Sequence, residues 1–186
     1  MFMKKNNMCK KFLTAPVQPY SITNDFTVKT MLEKMENISF QGRNLGIAYE
    51  VWKNALNDNC TIFMGFAGAM VPAGMRKLVV HLIENRYIDC FVSTGSNLFH
   101  DIVETLGKKH YIGSANVDDN MLYAHGIDRI YDTFALESDF RDTDIFLGNF
   151  ASRLENRPYT TMEFLSVLGK ELCKVSKEDG IVTSAY

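Results

Sequence analysis

Two stretches of small residues carry the chemistry this sequence offers: Gly65-Phe66-Ala67-Gly68 and Thr94-Gly95-Ser96. Each closes a short apolar run, residues 60–66 and 87–92. Glycine and alanine let a backbone approach a ligand closely, and a helix starting there presents N–H groups with no partner inside the helix. That pairing suits a phosphate or pyrophosphate; the competing reading is close packing of helix on sheet. The spacing is not G-x-G-x-x-G, and no acidic residue obviously takes the ribose role. Thr94 and Ser96 add hydroxyls, and Gly95 adds room. One turn further, His100 stands beside Asp101. An imidazole next to a carboxylate at a strand end binds a polar or cationic substrate, or moves a proton; the alternative is exposed helix polarity. No serine, cysteine or lysine is marked by its neighbours as an activated nucleophile.

Periodicity predicts the elements that position these residues. Residues 60–97 read as strand, loop, amphipathic helix, strand and loop, with the helix over 70–85 turning Leu78, Val79, Leu82 and Ile83 inward and His81 among them as a structural residue. This is one βαβ unit, and open parallel sheets bind ligands at the carboxyl ends of such strands. Upstream, residues 1–24 are expected to be a flexible arm. A helix over 25–36 and a second over 42–56 follow, the latter with Leu45, Ala48, Tyr49, Trp52 and Leu56 as a core-facing stripe. Downstream come a helix over 98–106 capped by Gly107, a short strand at 110–112, and a short helix from Asp118-Asp119 to His125. The two adjacent carboxylates suit the helix dipole and capping better than a metal. Residues 127–134 alternate like one strand. Helices over 139–154, 160–174 (Phe164, Leu165, Leu168 and Leu172 buried) and 178–186 complete the chain. The alternation predicts an α/β domain over 25–186, with a mostly parallel sheet of three or four strands and one edge left open.

Composition narrows the function classes. A chain of 186 residues has the mass for one domain with a real core. Its net charge of -2 implies no nucleic-acid partner, and Lys4, Lys5, Lys10 and Lys11 read as a solvated leader. Cys9, Cys60, Cys90 and Cys173 show neither zinc spacing nor a disulfide framework. Cys60 and Cys90 are expected as buried thiols in apolar runs, and the cysteine usage favours a reducing, cytoplasmic compartment. Residues 1–13 lack the apolar core of a secretory leader, and no run approaches the roughly 20 apolar residues of a membrane span.

Five stretches occur together in the order and spacing of one family: SFQGRNLG (39–46), CTIFMGFAGAMVPAGMRK (60–77), VSTGSNLFHDI (92–102), GIDRIYD (126–132) and FLSVLGKEL (164–172). From about residue 38 to its end the sequence resembles the deoxyhypusine synthases, above all their archaeal and bacterial branch. The resemblance implies a Rossmann-like, three-layer NAD-binding α/β fold in a dimeric or tetrameric assembly. It implies NAD as cofactor, oxidation of spermidine, an imine on an enzyme lysine, and transfer of the aminobutyl group to a lysine of the hypusine-bearing translation factor. Some relatives transfer to putrescine instead and make homospermidine. Others pair with a catalytically impaired partner, so a non-catalytic subunit of an active paralogue is the alternative. The family's NAD contacts fall on Gly68, Ala69, Met70, Val71 and Pro72, and on Thr94, Gly95 and Ser96. Its polyamine contacts fall on His100 and Asp101.

Two departures qualify that expectation. Where eukaryotic members carry two adjacent glutamates, this chain has Phe99 and His100. A neutral imidazole brings no negative charge, so cation binding is expected to be weaker. The resemblance also ends about halfway through the family's sequence. The half that carries the imine-forming lysine has no counterpart before Tyr186, so the sheet is expected to be incomplete at its C-terminal side and the chain inactive by itself.

Overall fold

The computed structural model describes residues 12–186. Cys9 and the basic leader lie outside the described residues, as do the first eleven residues of the expected arm. From Leu13 to Thr27 the chain runs without helix or strand. Two compact units follow, one ending at Cys60 and one spanning Thr61–Tyr186.

The first unit is a helix pair. The hydroxyl of Thr27 accepts from the Thr30 N–H at 3.1 Å, so α1 spans Val28–Met35 rather than starting at Asp25. Helix α2 spans Phe40–Asn57, and its one buried residue is Gly46. A Cβ at Gly46 would overlap the backbone of Met35 and Glu36, so this glycine sets how closely α1 and α2 approach. The expected stripe is not enclosed within the unit. Leu45 is 50% exposed, Ala48 and Leu56 are also exposed, and Tyr49 and Trp52 are half-buried. Two helices touching along one line cannot cover so wide a face. Gly46→Ala is expected to destabilise this unit by about 1–3 kcal/mol, because backbone rather than a pliable side chain must move. Gly148→Ala, where an added Cβ meets nothing, is expected to be neutral or slightly stabilising. Urea midpoints of the two variants check the contrast.

In the second unit, β1 (Phe63–Phe66) pairs in parallel with β2 (Cys90–Ser93), Phe63 opposite Cys90 and Phe66 opposite Ser93. The crossover between them is not the continuous helix expected over 70–85. A π-helical turn, Val71–Met75, holds Gly74 at φ 87°, and α3 proper begins at Arg76 and ends at Glu84. This break resets the helix face. Val79 and Val80 are buried, Leu82 and Ile83 are half-buried, and Leu78 is 61% exposed rather than inward. Helix α4 (Gly95–Thr105) starts directly from β2 and ends at Gly107, whose φ of 86° suits glycine.

Residues 127–134 form no single strand. Strand β4 (Ile127–Ile130) turns at Tyr131 (φ 57°) into β5 (Thr133–Leu136). With β3 (Tyr111–Ile112) they make a three-stranded antiparallel sheet in the order β3-β5-β4. The α/β class therefore holds, but among the described residues only the β1–β2 pairing is parallel. Helix α5 (Asp119–Ala124) is capped by Asp118, which accepts from the Asn120 N–H at 2.9 Å. Asp119 forms an ion pair with Arg129 at 2.7 Å. Helix α6 spans Glu137–Ala151, and α7 spans Thr161–Leu172 behind a capping box of Thr160 and Glu163. The short α8, Ile181–Ala185, follows Gly180.

The core lies on both sides of α4. Phe66, Val71, Val79, Val80 and Ile181 cluster together, and Ile102, Phe150, Leu168, Leu172 and Val182 form a second group. Phe164 and Leu165 pack against it half-buried. Cys60 is exposed and Cys90 half-buried, so neither is the buried thiol expected. No helix among the described residues is long and apolar enough to cross a membrane.

Candidate functional site

The two small-residue stretches meet at the carboxyl ends of β1 and β2, as their positions in a parallel pair require. Gly68 has φ 80°, and an added Cβ there, at Gly74 or at Gly95 would touch nothing within 4 Å. Gly68, Ala69, Met70, Thr94, Gly95 and Ser96 are exposed. Val71 is only 1% exposed and Pro72 is buried, so these two form the base of the first loop rather than its rim. Thr94 is the N-cap of α4 but its side chain makes no capping bond, and no acidic residue sits in the first turn. The leading N–H groups of α4 thus open toward the same loop, with the positive end of the helix dipole behind them. This arrangement fits the pyrophosphate of a dinucleotide.

A residue that sequence reasoning passed over binds the two loops together. The Asn97 side chain is 0% exposed. Its Oδ1 accepts from the Val71 N–H at 3.1 Å. Its Nδ2 donates to the Gly68 carbonyl at 2.8 Å and to Thr94 Oγ1 at 3.1 Å. One amide therefore fixes the separation of both strand-end loops. The signal in the sequence was only its place after Thr94-Gly95-Ser96, because its partners lie as many as 29 residues away.

Asp101 takes a place the sequence did not foretell. It is 0% exposed, and its carboxylate accepts from Arg76 Nε at 2.8 Å. The same carboxylate accepts from the N–H groups of Ile181 at 2.8 Å and Val182 at 3.0 Å. Arg76 Nη2 donates to Thr105 at 2.8 Å, and Glu104 and Glu178 stand 3.7 and 3.6 Å from the guanidinium. The carboxylate expected to meet a polyamine is thus enclosed, joining α3 and α4 to the N-terminus of α8. It does not share a surface with His100.

His100 sits half-buried with its ring edge-on to those of Phe99, Phe140 and His110. Its Nδ1 lies 3.0 Å from His110 Nε2, and His110 Nδ1 lies 2.7 Å from Glu104 Oε1. Both contacts are of hydrogen-bond length, so Glu104, His110 and His100 form one chain whose donors follow from the ring tautomers. Burial, and then the neighbouring His110, pushes the His100 pKa down to about 4, against the pull of Glu104. The ring is therefore uncharged at neutral pH and does not repel an ammonium.

A folded-state pKa below the unfolded value means that the unfolded chain takes up the proton first. Stability from this site is present above about pH 6.5 and is lost as pH falls toward about 4. The loss is expected to be about 1–2 kcal/mol, less than the whole shift implies because the ring is partly solvated. Urea midpoints measured across that window should fall less in His100→Gln than in the parent. Among the described residues no cluster of three histidine, cysteine, aspartate or glutamate side chains is placed to hold a metal.

Comparison with known proteins adds three findings. Residues 30–186 match the family described as deoxyhypusine synthase. Among curated proteins, a probable deoxyhypusine synthase 2 from Methanosarcina acetivorans is 46% identical over 177 residues, covering 94% of this chain and 51% of that protein. One from Archaeoglobus fulgidus is 48% identical over 153 residues, covering 82% of this chain and 51% of its own. The chain thus spans about half the length of the curated relatives it matches. A crystal structure of a putative deoxyhypusine synthase from Entamoeba histolytica superposes with a TM-score of 0.60 at 17% identity, over 91% of this chain and 58% of that one, which speaks for the fold alone.

Proposed function

The chain belongs to the deoxyhypusine synthase family, and from that premise we propose that it supplies one wall of an NAD site in a spermidine-dependent aminobutyl transferase. The reaction passes the aminobutyl group of spermidine to a lysine of the hypusine-bearing translation factor. In this reading the nucleophilic lysine lies in the half of the family's length that this chain does not span. In this reading the β1–β2 pair is one part of a Rossmann-like, three-layer sheet.

The observation that carries the reading is the pair of strand-end loops held by Asn97. Bound NAD would supply a hydride acceptor at this site. Gly68, Ala69 and Met70 would give its pyrophosphate close backbone access, and the free N–H groups of Gly95 and Ser96 would complement its charge. Val71 and Pro72 hold the loop from below. Uncharged His100 does not repel a substrate ammonium, while Asp101 acts from inside the fold by keeping α4 in place.

Titration of NAD into the isotope-labelled chain tests this, alone and together with the unmatched half of the Methanosarcina acetivorans relative. The amides of Gly68, Ala69, Met70, Val71, Gly95 and Ser96 are expected to shift first. Shifts confined to other residues in both experiments would sink the assignment.

A further inference from the structure

Glu104 stands one turn after His100, so the two side chains share a face of α4. The chain reverses at Gly107, with φ 86°, and His110 returns to that face. Its ring stands between the other two groups: Nδ1 lies 2.7 Å from Glu104 Oε1, and Nε2 lies 3.0 Å from His100 Nδ1. The His110 side chain is 5% exposed and the Glu104 side chain 19%, so both contacts are largely shielded from water. Phe140 of α6 closes on the His100 ring edge-on, 5.5 Å between centroids. The charges around this group are few. Arg76 of α3 stands 3.7 Å from Glu104, and Asp101 engages that same guanidinium. Asp139 of α6 pairs with Lys108, and Lys109, next to His110, pairs with Glu178.

We propose that Glu104 and His110 are positioning residues for His100, and that the three side chains take up and release protons as one unit. The proposal rests on the reading of His100 as the polyamine end of the site, and it adds what holds that ring and sets its charge. Two imidazole nitrogens 3.0 Å apart need one proton between them: with two they repel, and with none the hydrogen bond is lost. The contact of His110 with Glu104 at 2.7 Å likewise needs one proton between its partners. A proton moved at one contact therefore changes what the other can hold, and the protonation of His100 depends on a carboxylate to which it is not hydrogen-bonded. While both rings are neutral the unit carries the single negative charge of Glu104, which favours an ammonium beside His100. Each added proton weakens that preference. Arg76 reduces the charge without cancelling it, because Asp101 and Glu178 share the guanidinium.

The test follows the ring nitrogen signals of isotope-labelled histidines in the 186-residue chain across pH, since these signals report where each proton sits. In the parent both rings are expected to show the same two steps of proton uptake, with the main change at His100 at about pH 4. Glu104→Gln keeps the size of the side chain and removes its charge. Above neutral pH it is expected to turn one preferred tautomer of His100, as well as of His110, into a mixture, and to move both steps to lower pH. His110→Gln is expected to leave His100 a single step, moved up because the neighbouring ring no longer repels its proton. Amide signals of β1 and α7 show whether each variant is folded, and Glu104→Gln decides by itself if His110→Gln is not. Independent single steps at the two rings, or a His100 tautomer indifferent to Glu104→Gln, overturn the proposal. Spermidine is expected to shift both ring signals, with affinity about threefold weaker in Glu104→Gln. Coupled rings that ignore spermidine overturn the role at the polyamine end, while NAD shifts at Gly68–Val71 decide the functional reading separately.

Discussion

Asp101→Ala is expected to remove about 3–5 kcal/mol of folding stability, a large share of what an ordinary domain possesses. The size follows from what is left behind. Arg76 is 2% exposed, and its Nη1 already lacks a hydrogen-bond partner among the described residues. Without Asp101 the guanidinium keeps only Glu104 and Glu178, both beyond hydrogen-bond distance, and the Thr105 hydroxyl. The N–H groups of Ile181 and Val182 lose their acceptor in the same step, so α8 loses its N-terminal anchor. Replacing both partners by apolar residues, Arg76→Met with Asp101→Leu, should be less damaging than Asp101→Ala, because no buried charge is stranded. Urea unfolding of the two single variants and the pair gives the coupling. A loss below about 0.5 kcal/mol for Asp101→Ala would show that the buried pair does not hold the unit together.

The second large effect concerns binding. Asn97→Ala strands the buried Val71 N–H, a loss of about 1–3 kcal/mol, leaves the Gly68 carbonyl of the exposed loop to water, and releases the two loops from one another. NAD affinity of the assembled halves is expected to fall at least tenfold, about 1.4 kcal/mol, and amide exchange at Val71 to accelerate. Asn97 is fully buried and so touches no ligand; its effect is positional. Asn97→Asp separates the bonds, keeping an acceptor for Val71 while setting a carboxylate against the Gly68 carbonyl. It should retain protection at Val71 and still bind NAD poorly. If Asn97→Ala lowered the unfolding midpoint but left NAD affinity unchanged, the clamp would be structural only.

The strand-end loops were legible because small residues directly after a short apolar run mark a tight turn at a strand end, and the helix starts at Asp118 and Thr160 because those capping residues act locally. Thr160 with Glu163 is such a signal, and it holds in the fold. What escaped the sequence is non-local or depends on the sign of one backbone angle. Asp101 and Arg76 lie 25 residues apart, so spacing gave no hint that the acid is enclosed. Alternation over 127–134 fits one strand as well as two hairpin arms, and only Tyr131 in the left-handed region decides between them. Gly74 bends the crossover by the same kind of backbone choice and thereby exposes Leu78. The stripe expected to face the core on α2 is largely exposed at Leu45, Ala48 and Leu56, because a periodic pattern does not say what covers it.

Whether this chain is one wall of an NAD-dependent transferase is tested most directly by spermidine-dependent formation of NADH with the purified 186-residue chain. No NADH is expected from the chain alone, and turnover is expected once the lysine-bearing half is added. NADH formation by the chain alone, at a rate that scales with its concentration, would contradict this.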